Sequence, residues 1–382
     1  MRILNVNSSL GLKTGGGTAE RTFQMSRFLA KQEDVKCTVL ALDIELDEVR
    51  IQACAPATVV IIPCLWKRFY VPRGGWRVIN QLVDEADVIH VMGHWSVLNL
   101  LVYLAIRRVN KPYVVCPAGA LPIFGRSAIL KRLYNFIAGR AIIQNAAAWI
   151  AVTAGEFSHF ERYGIPASQV VVIPNGINEE DFPITDRKEF LNRYGLPDKP
   201  IVLFMGRLNP IKGPDLLLQA FIQARHQFTD AHLVFAGPDG GMLSELKQAA
   251  EQAGISEYVH FLGYISGDDK SAAYHYAKLL VVPSRQEAMS IVALEAGICG
   301  TPVLLTDQCG FGDIRLVDSR LEVPATVNGI AEGLSKLLVD ETVLSQVAPE
   351  WRDFVARRYA WSEIVLEYID LYKRVAIQYS SK

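Results

Sequence analysis

Short apolar runs alternate with amphipathic stretches along the chain. In the first half the runs fall at residues 3–6, 38–42, 59–62, 88–91, 113–116 and 149–152. Each is rich in β-branched residues and too short to be a helix. Between them, residues 18–30, 95–108 and 129–144 repeat apolar positions at helical spacing. Short strands that are apolar on both faces and separated by helices predict a parallel sheet covered on both sides.

After Pro174-Asn-Gly-Ile177 the alternation begins again, with strands expected at 201–205, 232–236, 258–262, 279–282 and 303–306. Helical patterns lie near 214–225, 242–253 and 291–299. The pattern predicts an α/β chain of two Rossmann-like domains in tandem, joined through a Pro/Gly/Asp-rich segment at 174–183. The expected boundaries are 1–175 and 176–360. An amphipathic helix at 361–378 follows, opening on Trp361-Ser362-Glu363, an imperfect capping box.

Half of the 382 residues are apolar, ample for two cores. Net charge is −1, but residues 1–175 hold 19 Lys/Arg against 12 Asp/Glu while the remainder holds 20 against 28. The basic first half is compatible with an anionic substrate or lipid surface, or with uneven solvated charge. The chain opens directly in a strand-like pattern, and no run reaches membrane-spanning length. The expectation is a cytoplasmic protein, with the inner membrane face as one place it could work. Six cysteines lack CxxC pairs and metal-ligand spacing and read as free thiols. No protein-bound metal or cofactor is expected, and nucleic acid is not an expected partner.

Candidate chemistry clusters where strands end. In Ser284-Arg-Gln-Glu-Ala-Met-Ser-Ile-Val-Ala-Leu-Glu-Ala-Gly297, two carboxylates stand eight apart, Glu287 before a helix start and Glu295 inside it. Ser290 between them is the expected N-cap. Carboxylates suit ring hydroxyls, and free N–H groups at a helix start suit phosphate. Taken alone, the pair is equally explained by acids steadying a helix dipole. Gly206-Arg-Leu-Asn-Pro-Ile-Lys-Gly213 follows the 201–205 strand and offers Arg207 and Lys212, a guanidinium and an ammonium able to hold a diphosphate. Gly237 and Tyr264 mark two further strand ends. In the first half, Gly15-Gly-Gly17 opens a helix after the first strand, but Glu20 replaces the last glycine of a dinucleotide fingerprint. His90 reads as a structural imidazole; for His94, beside Gly93, a structural and a functional role both stay open.

Together these segments resemble the retaining glycosyltransferases of family 4. The resemblance rests on the Gly15–Gly17 loop, His90 with Gly93-His94-Trp95-Ser96, Pro174-Asn-Gly-Ile177, Gly206-Arg-Leu with Lys212-Gly213, Ala236-Gly-Pro-Asp239, and Glu287 with Glu295 as an E-x7-E motif. It implies the GT-B fold: two Rossmann-like domains with parallel sheets facing across a cleft, the last helix crossing back to the N-terminal domain. It implies an acceptor-binding first domain and a second domain that binds a nucleotide-diphosphate sugar. Arg207 and Lys212 would neutralise the diphosphate, Glu287 would hold the transferred sugar and Glu295 the ribose. Ala288, Met289, Ser290 and Ile291 would contact sugar and phosphate, and Gly16 and Gly17 would complete the phosphate site. Such enzymes retain anomeric configuration and need no bound metal.

The chain departs from the family pattern in three places. Met289-Ser290 replaces the common Phe-Gly, and His90-Val-Met-Gly93 displaces a histidine to His94. Pro117-Ala118-Gly119 replaces Pro-His-Gly, whose histidine would reach the transferred sugar beside Gly119: either His94 fills the space, the donor sugar differs at the group contacted, or activity is impaired. The implied partners are the sugar donor, a glycan or lipid-linked acceptor in cell-surface polysaccharide synthesis, and an anionic membrane surface reached by Lys67, Arg68, Arg73, Arg77, Arg126, Lys131 and Arg132. The alternative is a catalytically silent scaffold that binds nucleotide sugar. A nicotinamide-dependent dehydrogenase is disfavoured by Glu20.

Overall fold

A computed structural model describes residues 1–45, 48–123 and 127–380; Arg126 lies outside them. The chain divides into two compact units, Met1–Gly176 with Trp361–Lys382, and Ile177–Ala360.

The first unit is built on a seven-stranded sheet in the order Thr58–Ile62, Lys36–Leu42, Arg2–Val6, Val88–Met92, Tyr113–Cys116, Ala148–Ala151, Val170–Val172. Every pairing is parallel. The central Val88–Met92 strand is buried at all five positions, as an apolar run in a doubly covered sheet must be. The Val170–Val172 edge strand was not expected; three residues are too few to show a period. The expected 129–144 helix is Ala128–Tyr134, a π turn at Asn135–Gly139, and Arg140–Gln144.

The last helix, Trp361–Ser380, belongs to this unit, and Tyr368 and Tyr372 are fully buried. Ser362 is therefore inside the helix rather than ahead of it, which explains why the capping box is incomplete. Arg21 is buried and donates to Asn175 Oδ1 and the Ile173 carbonyl, both at 2.7 Å, and to the Tyr368 hydroxyl. His90 Nδ1 meets the Tyr372 hydroxyl at 2.6 Å. Burial, helped by nearby Arg21, lowers the His90 pKa to about 3, so the ring is neutral. His90 thus has the structural role its strand position suggested. A buried guanidinium without these acceptors would cost several kcal/mol, so the polar set fixes where the last helix docks.

The second unit carries six parallel strands in the order Val259–Gly263, His232–Ala236, Ile201–Met205, Ala277–Val282, Val303–Thr306, Glu322–Val323. Chain direction across the sheet reverses between Ile201–Met205 and Ala277–Val282. In open α/β sheets, the loops leaving the carboxyl ends of strands at such a switch point frame the ligand crevice. Here those are the loops carrying Arg207 and Lys212 and carrying Glu287.

Candidate functional site

Two loops of the second unit are tied to each other by backbone. Gly213 has φ +67° and leads into the helix Pro214–Ala224; a Cβ there would lie 2.1 Å from the Pro283 carbonyl oxygen. Glycine is required by both conformation and space. The Arg285 N–H donates to the Ile211 carbonyl at 2.8 Å, and its guanidinium pairs with Asp215 at 2.6 Å. Lys212 is thereby held over the second loop, with its Nζ 2.8 Å from Glu287 Oε1. The Ser284 hydroxyl donates to the same oxygen. The sequence separates Lys212 from Glu287 by 75 positions; the switch point makes them an ion pair with the carboxylate almost fully buried.

The Glu287–Ser290 stretch is supported from behind. Its Glu287 and Ser290 N–H groups donate to the carbonyls of Gln308 and Cys309 at 2.9 and 3.2 Å. Gly310, at φ +64°, packs so closely that a Cβ would sit 1.9 Å from the Ala288 carbonyl oxygen. Ser290 occupies the N-cap position of Ile291–Ile298 in an extended conformation, but its side chain makes no capping bond. Ser290 is therefore the N-cap by position, as expected, but without the side-chain bond: the Oγ is buried and unpartnered among the described residues. The first amides of that helix are left without Ser290 as acceptor, the condition under which a helix start receives an anion.

Glu295 lies inside the helix and is buried. Lys270 Nζ is 2.6 Å from its Oε1 and the Tyr274 hydroxyl 2.5 Å from its Oε2. These partners stand four apart on the helix Gly267–Tyr276, one face of which therefore grips the carboxylate. Sequence reasoning missed both; the i, i+4 spacing of a lysine and a tyrosine was the only available signal. Each Glu295 oxygen still has acceptor capacity beyond these bonds.

The other strand ends converge on the same edge of the sheet. The Gly206 and Gly237 N–H groups donate to the Ala236 and Gly263 carbonyls at 2.9 and 2.7 Å. A Cβ on Gly237 would lie 1.9 Å from the Gly206 oxygen. Arg207 is thus carried on a loop strapped to its neighbour, and Tyr264 stands half-exposed one residue beyond the adjacent strand. Asp239 accepts from the N–H groups of Gly241, Met242 and Leu243, closing the turn into Leu243–Gln252.

The remaining expected site residues lie in the first unit. Gly16 breaks the Leu12–Ala30 helix with φ 53° and ψ −136°, a conformation open to glycine, and Gly17 follows it. The helix begins earlier than residue 18 because this break is bridged. Ala118 and Gly119 both have positive φ, and the Gly119 N–H donates to Glu156 Oε1 at 2.5 Å. Glu156 also accepts from the Val152 N–H at 2.7 Å; burial raises its pKa. That support was not visible in the sequence.

His94 is buried, with Nε2 3.0 Å from Asn135 Oδ1 and the rings of Trp95, Tyr134 and Tyr163 edge-on around it. Burial lowers its pKa to about 4. Its Nδ1 is buried without a partner among the described residues. The enclosure fits a packing role, and any hydrogen bond to a sugar would have to come from that one atom.

Two family descriptions divide the chain between them: Glycosyltransferase Family 4 matches residues 15–181 and Glycosyl transferases group 1 matches residues 186–352. The chain belongs to glycosyltransferase family 4. Among curated family members, an uncharacterized glycosyltransferase of Methanocaldococcus jannaschii is 33% identical over 220 residues, 55% of each chain. A D-inositol 3-phosphate glycosyltransferase of Xylanimonas cellulosilytica is 30% identical over 252 residues, 60% of this chain and 58% of the relative. The matches span little more than half the length of these relatives. Among solved structures, Anabaena HepE in complex with UDP and glucose superposes with a TM-score of 0.79 at 18% identity, covering 98% of this chain and 100% of HepE. Sucrose-phosphate synthase of Thermosynechococcus elongatus gives 0.75 at 20% identity, covering 98% and 99%. The fold of this family-4 chain is GT-B. The comparisons do not favour the catalytically silent alternative.

Among the described residues, no group of three or more His, Cys, Asp or Glu is placed to hold a metal ion. No described helix is long and apolar enough to cross a membrane.

Proposed function

We propose that the protein is a retaining glycosyltransferase that moves a sugar from a nucleotide-diphosphate sugar to a glycan or lipid-linked acceptor in polysaccharide biosynthesis. The observation that carries this reading is the convergence of Lys212, Arg207, Glu287 and the uncapped start of Ile291–Ile298 at one switch point. A diphosphate there would meet cations and helix N–H groups aimed at its developing charge. No protein-bound metal enters the scheme, since these groups carry the leaving phosphate. Lys212 would exchange its bond to Glu287 for a phosphate oxygen, freeing the carboxylate for sugar hydroxyls. Glu295, held by Lys270 and Tyr274, would present its remaining acceptor capacity to the ribose. Complexes of the same fold contain UDP and UDP-glucose, which supports this donor class. Under this reading the second unit binds the donor and the first the acceptor. The basic composition of the first unit supports work at the inner, anionic membrane face.

A thermal-shift screen over nucleoside diphosphates and nucleotide sugars tests the reading, because a ligand stabilises the native state in proportion to ln(1 + [L]/Kd). At least one UDP or GDP compound should raise the Tm, and Glu295→Ala should lose most of that rise. No shift with any compound would remove the donor site.

A further inference from the structure

The solvent side of residues 128–144 carries an apolar stripe that is exposed among the described residues. Ile129, Leu130, Leu133, Phe136 and Ile137 follow one another at spacings of one and three, so they share one face of the helix. Their exposure runs from 46% for Leu130 to 87% for Phe136. The opposite side is also apolar: Ala138, Ile142 and Ile143 sit in the core of the first unit. A helix that is apolar on both sides ordinarily has both sides covered.

A second exposed apolar pair adjoins it. Leu65 and Trp66, both more than half exposed, precede the turn Lys67–Phe69, and Arg68 donates to the Ser127 hydroxyl at 3.2 Å, at the start of the stripe helix. The stretches that carry these residues are basic in sequence, with Asp43 accepting from the Cys64 N–H at 2.5 Å beside the Leu65–Trp66 pair. Residues 88–155 contain seven Lys/Arg and no Asp or Glu, and residues 49–83 likewise contain no acid. Arg132 is exposed beside the stripe. Lys131 lies 5.5 Å over the Trp95 ring.

We propose that this stripe inserts into the headgroup–acyl boundary of an anionic bilayer, with Leu65 and Trp66 beside it and Lys67, Arg68 and Arg132 on lipid phosphates. Apolar side chains backed by cations of one sign match a lipid interface, where a helix lies in the plane and does not span. A water-soluble glycan would need none of this apolar exposure. The inference deepens the membrane-face part of the proposed function: contact is made by insertion as well as by charge. It is independent of the donor chemistry.

The test is flotation of the full chain with phosphatidylglycerol-containing and with pure phosphatidylcholine vesicles, at low and high salt. The wild type should float with anionic vesicles and keep part of its binding in high salt, because burial of apolar surface is not screened. Leu133→Ser with Phe136→Ser and Ile137→Ser should lower partition at least tenfold at both salts. Lys67→Glu with Arg132→Glu should remove the low-salt excess and leave the high-salt remainder. Hydrogen exchange of the wild type supplies a readout that needs no variant: residues 128–144 should slow when anionic vesicles are added. The proposal is overturned if the triple variant, melting as the wild type does, partitions within twofold of it. Equal binding to neutral vesicles, unchanged exchange at 128–144, or a dimer that the triple variant dissociates without any flotation of the wild type would overturn it too. Absence of sugar release would count against the transferase reading and leave the vesicle result standing, and the reverse also holds.

Discussion

Lys270 is predicted to hold Glu295, and the energetics should be asymmetric. Lys270 Nζ is 2.6 Å from a carboxylate whose side chain is 5% exposed, while the lysine side chain is 24% exposed. At an effective dielectric near 20 the gross attraction is roughly 4–6 kcal/mol. Desolvation and the lysine's access to water offset most of it, leaving a coupling of about 1–2 kcal/mol. Lys270→Met strands a buried carboxylate on Tyr274 alone and should cost roughly 2–3 kcal/mol. Glu295→Gln leaves a lysine able to turn to solvent and should cost roughly 1 kcal/mol. The double variant should be less destabilised than the sum of the two. Urea unfolding followed by circular dichroism gives all four corners of the cycle. A coupling below about 0.5 kcal/mol, or equal costs for the two single changes, would refute the reasoning. The same Lys270→Met protein should show a diminished nucleotide-induced Tm rise, because Glu295 is no longer fixed.

Gly310→Ala should displace the Glu287–Ser290 loop, since it adds a Cβ at φ +64° only 1.9 Å from the Ala288 oxygen; nucleotide affinity measured by calorimetry is expected to fall about tenfold, which is about 1.4 kcal/mol, and an unchanged Kd would show the loop is not held from behind. Buried His90 and His94 have pKa values lowered to about 3 and about 4, so between the unfolded value near 6.5 and those values the unfolded chain binds more protons. Stability should therefore fall as pH drops through that window, by roughly 1 kcal/mol per pH unit for each histidine; urea midpoints from pH 7 to pH 4.5 check this, and His90→Gln should flatten the slope by about one proton. Arg21→Met should loosen the last helix, giving faster hydrogen exchange in Trp361–Ser380, because Tyr368, Asn175 and the Ile173 carbonyl lose their shared donor.

The sheet strands were legible where burial on both faces writes an unbroken apolar run: 113–116, 201–205, 232–236 and 303–306 coincide with observed strands. Two edge strands were not, because Val170–Val172 and Glu322–Val323 are too short for any periodicity, whereas the edges Thr58–Ile62 and Val259–Gly263 were. The motif residues of the site were readable as types, yet their pairing was not. Lys212 meets Glu287 only because the Ile201–Met205 and Ala277–Val282 strands are neighbours. Gly310 carried no local mark and Lys270 only its i, i+4 spacing to Tyr274; the first matters through a backbone approach to Ala288, the second through an ion pair across two helices. The exposed stripe at 129–137 shows the converse limit. Its spacing was apparent as helix, but which apolar face meets the core is settled by tertiary packing.

The central claim, that the switch point of the second unit activates a nucleotide sugar, is tested most directly by proton NMR of the anomeric signal. The protein would be incubated with a panel of UDP- and GDP-sugars. The account predicts that at least one donor is consumed with release of its nucleoside diphosphate, the first-formed sugar keeping the donor's anomeric configuration, and that Lys212→Ala with Glu287→Gln abolishes the turnover. Nucleotide binding with every donor left intact, or a first-formed product of inverted configuration, would contradict it.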